Sequence, residues 1–296
     1  MREREPHGVL VVDKPRGPTS HDVVARVRKA LKTRAVGHAG TLDPMATGVL
    51  VVAVGEGTKL VPWLTADDKT YAATIHLGTT THSLDADGDV TASAPVPDDL
   101  ARRLPAALEA ERARKEQVPP AVSAIRIGGE RAHALARAGK LGEAALPPRP
   151  VEVRSLTLER IAGADVDVVV EVMKGYYVRS LARDLAAALG TVGHLTALRR
   201  IRSGAFTIEH AIALDDVGPE ALIPLDRAAA IALPVTVLDD DGVRAVSYGQ
   251  RVAPAQMRDP HRAPSAWLDQ SAHLVAVGEC LEDGTGRVLR GFPRPT

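Results

Sequence analysis

Apolar runs and alternations divide the 296-residue chain into recognisable elements. Gly8-Val-Leu-Val-Val12 is a β-branched run that predicts a buried strand, closed by a Pro- and Gly-containing loop from Asp13 to Pro18. Ser20 reads as the N-cap of a helix with Val23, Val24, Val27 and Leu31 on one side and Arg26, Arg28, Lys29 and Lys32 elsewhere. Glycines at 37, 40 and 48 predict a loop, and Val49 to Val54 a fully apolar strand. Further strands are predicted at Thr70 to Leu77, Val151 to Ile161, Val166 to Met173 and Ile201 to Ile208, with helices at Asp98 to Glu111 and Val178 to Leu189. Gly78 to Gly88 reads as a polar loop. Gln117 to Pro150, with two Pro-Pro pairs and Pro150, reads as an excursion holding a short strand, Val122 to Ile127, and a basic helix, Glu130 to Lys140. The acidic stretch Leu214 to Leu233 reads as a connection, and Pro234 to Thr296 as short β pieces such as His273 to Val277 and Arg287 to Leu289. Strands outnumber helices without regular alternation, which predicts a mixed α+β fold rather than a doubly wound sheet.

Composition narrows the function classes. With 45% apolar and 25% charged residues the chain can bury a full core, and its length suits one large and one small domain. The single cysteine, Cys280, rules out an intrachain disulfide, a thiolate zinc cluster and an iron–sulfur site. The apolar run at the N-terminus is too short for a signal peptide, and no run reaches membrane-spanning length, so a cytoplasmic protein is expected. Net charge is zero, which by itself argues against a nucleic-acid binder. The charge is nevertheless segregated. Met1 to Val36 holds nine Lys or Arg against four acids, Lys174 to Gly204 six against one, and Ala211 to Asp241 one against seven. Such segregation permits a basic cleft on a neutral protein and equally describes ordinary solvated helix faces.

Candidate chemistry concentrates in two stretches. The Gly37 to Gly48 loop holds His38, Thr41, Asp43 and Thr47 among glycines that let the backbone approach a ligand. Pro44 biases Asp43 towards an extended backbone. From spacing alone an Asx-turn is the commoner role for such an aspartate. Lys174-Gly-Tyr-Tyr-Val-Arg179 sets two tyrosines beside an arginine in a chain with 3% aromatics, which suits a base-stacking platform, although buried aromatics at a strand-to-helix corner are commoner. Asp85-Ala-Asp-Gly-Asp89 hints at calcium, but Val90 and Val96 stand where an EF-hand needs Gly and Glu. No His-Glu-x-x-His, phosphate-cradling loop or Gly-x-Ser-x-Gly elbow is present, so neither a metal nor a cofactor is expected.

Five motifs in order, Gly8-Val-Leu-Val-Val-Asp-Lys-Pro15, the box at 37–48, Lys69-Thr-Tyr71, Asp85-Ala-Asp-Gly88 and Lys174-Gly-x-Tyr-x-Arg179, together resemble the bacterial tRNA pseudouridine-55 synthase family. The resemblance implies a largely antiparallel mixed sheet as catalytic core over residues 1–233, an RNA-clasping thumb at 117–150, and a compact PUA-like RNA-binding domain at 234–296. It implies isomerisation of one uridine in the tRNA T-arm without cofactor, metal or protein partner, by a monomer. Asp43 would be the catalytic carboxylate, acting as nucleophile or base, and Arg179 the ion-pair partner that keeps it ionised. Tyr71 would stack on the uracil and accept the C5 proton, His38 would help displace the flipped base, and Tyr177 and Leu198 would line the pocket. Asp85, Lys14 and Lys59 would be further substrate-binding residues, the lysines at phosphates. Two other readings remain: a guide-dependent pseudouridine synthase, which shares these motifs, and, from a different class, an RNA-folding chaperone that only binds the T-arm.

Overall fold

The structure is a computed structural model that describes residues 5–66, 68–123, 126–127, 130–131 and 146–293. The main sheet is built from β1 (Gly8–Lys14), β2 (Val36–His38), β3 (Thr47–Val54), β4 (Lys69–Leu77), β5 (Val153–Ala162), β6 (Asp165–Val172), β7 (Gly193–Ser203) and β8 (Ile212–Ala213), with short pieces at its margins. The strand order is β5-β6-β4-β7-β3-β1-β8, with β2 paired to β3. Neighbours run antiparallel except β7 with β3 and β1 with β8, so the sheet is mixed and largely antiparallel, as the family resemblance implies. Among the described residues the α-helices are α1 (Ser20–Ala30), α2 (Val61–Ala66), α3 (Leu100–Arg112), α4 (Val178–Leu189), α5 (Leu225–Ala232) and α6 (Asp240–Ser247).

The two halves of this sheet are buried differently, and their sequences say why. Along β4 burial alternates: Tyr71, Ala73, Ile75 and Leu77 point inward, while Thr70, Ala72, Thr74 and His76 stay partly exposed. β6 repeats the alternation with Val166, Val168, Val170 and Val172 inside. These inward residues share one core with Leu104 and Leu108 of α3 and Leu181 and Leu185 of α4. By contrast the runs at residues 9–12 of β1 and 49–54 of β3 are apolar at every position and buried on both faces. Leu10, Val12, Leu50 and Val52 join the helix-covered core. Val9, Val11, Val49 and Val51 join a second core with Ala228 and Ala229 of α5.

That second core also takes Ala266, Leu268, Leu274 and Val277 from a five-stranded sheet of β9 (Val235–Leu238), β10 (Met257–Arg258), β11 (Ser265–Leu268), β12 (Leu274–Cys280) and β13 (Gly286–Gly291), ordered β10-β9-β11-β12-β13. Trp267 centres this sheet's own core, and Gly278 makes room for it: a Cβ there would lie 2.3 Å from the indole. A C-terminal β domain is thus present, and it shares a buried apolar face with β1 and β3.

Several elements depart from the sequence reading. The N-cap of α1 is Thr19, not Ser20, because a capping box needs its acid at the third helical position, and Asp22 stands there for Thr19. The strand predicted at Ile201 to Ile208 is the end of the eleven-residue β7, followed by the two-residue Phe206–Thr207. His194, Thr196, Arg199 and Arg200 disguise the part before Ile201 as polar. The polar Gly78 to Gly88 stretch contains a strand, Thr79–Thr81, paired with Val90–Ser93. Leu214 to Leu233 is more than a connection, since it supplies α5 to the second core. In the excursion the pairing is Arg126–Ile127 with Glu130–Arg131, so the predicted helix begins as strand; residues 132–140, the rest of it, lie outside the described residues.

Candidate active site

The loop between β2 and β3 carries Asp43, and buried side chains behind it fix its backbone. Lys14, fully buried at the end of β1, donates through Nζ to the carbonyls of Pro15 (3.0 Å), Pro44 (3.3 Å) and Ala46 (2.7 Å). Arg200, fully buried on β7, donates to the carbonyls of Val49 (2.6 Å), Gly40 (3.0 Å) and Thr41 (3.4 Å). Ser20 Oγ bonds both the N–H (2.9 Å) and the carbonyl (3.1 Å) of Leu42. Gly48, at φ +98°, lets β3 press against β7: a Cβ there would lie 2.2 Å from the Arg200 carbonyl oxygen. Six carbonyls of the loop and its flanks are therefore held by two cations with no carboxylate among those acceptors.

The front of the loop is arranged in the opposite way. Arg179, in the first turn of α4, approaches Asp43 with both Nε (2.9 Å to Oδ2) and Nη2 (3.3 Å to Oδ1). The remaining donor, Nη1, reaches the carbonyl of Ser83 at 2.9 Å. Asp85 Oδ2 lies 3.7 Å from Nε, and the other Asp85 oxygen takes the Ser83 hydroxyl (2.6 Å) and the Asp87 N–H (3.1 Å). Arg179 is held between two carboxylates and a carbonyl, a fork that a planar guanidinium matches and an ammonium cannot. Side-chain exposure is 6% for Arg179 and 34% for Asp43, so the cation is shielded while the carboxylate stays reachable. The Asp43 carboxylate thus faces an arginine rather than closing an Asx-turn; its main-chain carbonyl instead accepts from the Ala46 N–H.

Asp43 lies in the wall of a cleft of about 270 Å³. Tyr71, Tyr177, Leu198 and Arg179 line the same cleft, so the structure brings together four residues expected there and the carboxylate itself. Burial pushes the Tyr177 phenol above its ordinary range, keeping it neutral. Lys69, Tyr176 and Arg200 also line the cleft and were not assigned to it from the sequence. The signal was present: Lys69 opens a motif already singled out, and the Arg199-Arg200 pair sits in an apolar neighbourhood.

Four expected site residues lie elsewhere. Lys14 is a correction: its ammonium is buried against carbonyls and cannot meet a phosphate there, and burial lowers it to about 8. Asp85 is buried behind Arg179 and does not line the cleft. Lys59 pairs with Glu56 at 2.5 Å and lies 5.8 Å from the Phe292 ring centre, away from the cleft. His38 ends β2 without lining the cleft, its Nδ1 buried without a partner and its ring edge-on to His21 at 5.4 Å. Burial depresses its imidazole, which favours the neutral form. Among the described residues no group of three or more His, Cys, Asp or Glu is placed to hold a metal ion, and no helix is long and apolar enough to cross a membrane.

Residues 28–178 match the model of the TruB family pseudouridylate synthase N-terminal domain, and residues 179–231 that of the tRNA pseudouridylate synthase B C-terminal domain. The chain belongs to the TruB family. Among its relatives are proteins named tRNA pseudouridine synthase B from Rhodococcus jostii (47% identical; 91% of this chain, 89% of the relative) and Nocardia farcinica (48%; 94% and 90%). Of solved structures, a Cbf5-Nop10-Gar1 complex has a chain similar over 98% of this one and 85% of its own, at 28% identity and a TM-score of 0.74. A chain in an H/ACA RNP bound to a substrate RNA containing 2'-deoxyuridine matches 99% of this chain and 92% of its own at 26% identity and a TM-score of 0.71. The boundary between the two TruB family matches falls at the start of α4, inside the main sheet, and residues 232–296 lie beyond both. Asp43 and Arg179 thus fall in different matches, and the fold joins them.

Proposed function

We propose that the chain isomerises the uridine at position 55 of the tRNA T-loop to pseudouridine, with Asp43 as the catalytic carboxylate. The reaction breaks the bond from uracil N1 to the ribose carbon, turns the base, joins C5 to that carbon, releases the C5 proton and takes up a proton at N1. No oxidant or activated phosphate is consumed. The observation that carries the reading is the reachable Asp43 carboxylate gripped by a shielded Arg179 in a cleft walled by Tyr71, Tyr177 and Leu198, in a chain of this family.

A cleft of about 270 Å³ admits one extruded nucleoside and excludes a paired helix, so the target uridine is flipped out before reaction. Asp43 then attacks the sugar carbon or removes a sugar proton, and either act uses a carboxylate that the two bonds from Arg179 hold in place. Tyr71 and Tyr177 enclose the uracil, with Tyr71 as acceptor of the C5 proton, and Leu198 closes the apolar side. His38, outside the cleft wall, acts at the vacated place in the T-arm as a neutral imidazole. Residues 1–233 are the catalytic unit, and 234–296 a PUA-like RNA-binding unit seated on it. The protein works in the cytoplasm as a monomer, on tRNA alone.

Purified protein with a tRNA transcript carrying C5-tritiated uridine, in EDTA and without guide RNA, is expected to release tritium from one site per tRNA. Binding without release would leave the chaperone reading. Release only with an added guide would favour the guide-dependent one.

A further inference from the structure

Helix α4 begins without a side-chain cap of its own: its N-cap is Tyr177, whose side chain makes no cap bond. The missing partner comes from 60 residues earlier. Gln117 Oε1 accepts from the Tyr177 N–H at 2.9 Å, and Gln117 Nε2 donates to the Tyr177 carbonyl at 3.2 Å. The primary amide thus pairs with Tyr177 as a neighbouring strand residue would. Gln117 is 2% exposed, so water cannot replace either bond. The same end of α4 grips the next residue, since Ser180 Oγ (2.9 Å) and Arg183 Nη2 (2.8 Å) both donate to the Val118 carbonyl. Gln117 is in turn fixed by its strand pairing with Arg149.

The tie matters because of what the first turn of α4 presents. Tyr177 lines the cleft, and Arg179, two residues on, holds Asp43 through two bonds that a small rotation of the turn would break. Gln117 itself does not line the cleft. We infer that Gln117 is a positioning residue for the isomerisation: its side-chain amide fixes the backbone of Tyr177 and so sets Arg179 on Asp43 and the Tyr177 ring in the cleft wall. This inference rests on the proposed reaction at Asp43.

The test uses the full chain on tritiated tRNA, with wild type alongside, at a temperature where each variant is folded by circular dichroism. Gln117→Met keeps the volume and removes both bonds. Turnover is expected to fall about 10- to 100-fold, as for a misplacement of the order of 1 Å at the reacting groups. KM for tRNA should stay within a few-fold. Gln117→Glu keeps the acceptor for the Tyr177 N–H but regains a donor for the carbonyl only when protonated. Its turnover relative to wild type should therefore rise as pH falls from 8 to 6, whereas a loss of packing alone would not follow protonation. The inference is overturned if Gln117→Met turns over like wild type. It is equally overturned if the Gln117→Glu ratio is flat with pH, and this variant decides the matter should Gln117→Met not fold. Wild type failing to release tritium would instead overturn the proposed reaction.

Discussion

The two sides of the Asp43 loop use the same kind of side chain for opposite ends. Behind the loop, Lys14 and Arg200 are fully buried and spend their donors on neutral main-chain carbonyls, fixing where the backbone runs. In front, Arg179 spends two donors on the Asp43 carboxylate itself. A cation bonded to carbonyls specifies shape, and removing it leaves several acceptors unsatisfied. A cation that meets a partly exposed carboxylate with two donors orients that carboxylate, and its removal is expected to disturb the site more than the fold. On the proposed reaction, the back of the loop would govern stability and the front reactivity.

Exchanging the two arginines separately is the most forceful way to break this comparison. Arg179→Lys should lower turnover by about 100-fold or more, the scale of losing an oriented charge at a reacting centre, with little change in melting temperature. Arg200→Met should lower stability by about 3 kcal/mol, the scale of stranding buried acceptors. Because Arg200 also borders the cleft, activity per folded molecule should fall too, but less than for Arg179→Lys. Thermal melts and tritium release on both variants check this, and equal melting losses would erase the distinction.

Lys14 sharpens the same contrast with a smaller effect. Its buried ammonium is lowered from 10.5 to about 8, with desolvation the main cause, so between these values the unfolded chain binds a proton that the folded chain has released. Stability should therefore rise with pH across that window relative to a Lys14→Met variant. The Lys14 Cε resonance should titrate near 8, and a midpoint above 10 would show the ammonium to be solvated instead.

How legible these parts were follows from the same physics. The continuous runs of β1 and β3 and the alternation of β4 announced which faces are buried, because strand periodicity is local. The Asp43–Arg179 pair spans 136 positions and was visible only through the motifs around each partner. From spacing alone Asp43 read as a turn former. Lys14 and Arg200 were opaque because a buried cation bonded to carbonyls looks, in sequence, like a surface cation. The same opacity hid the part of β7 before Ile201, where Arg200 is fully buried while Ala197 is exposed. Gln117 stood in a proline-rich excursion where nothing local points to Tyr177.

The most direct test of the account is Asp43→Asn, which removes one charge and almost no shape. Tritium release from C5-labelled tRNA and affinity for the same tRNA would be measured on one folded preparation. Turnover is predicted to fall by about 10³-fold or more, as when a reaction loses its acid–base or nucleophilic group, with affinity kept within a few-fold. Substantial turnover in that variant, or affinity lost together with turnover, would contradict Asp43 as the catalytic carboxylate.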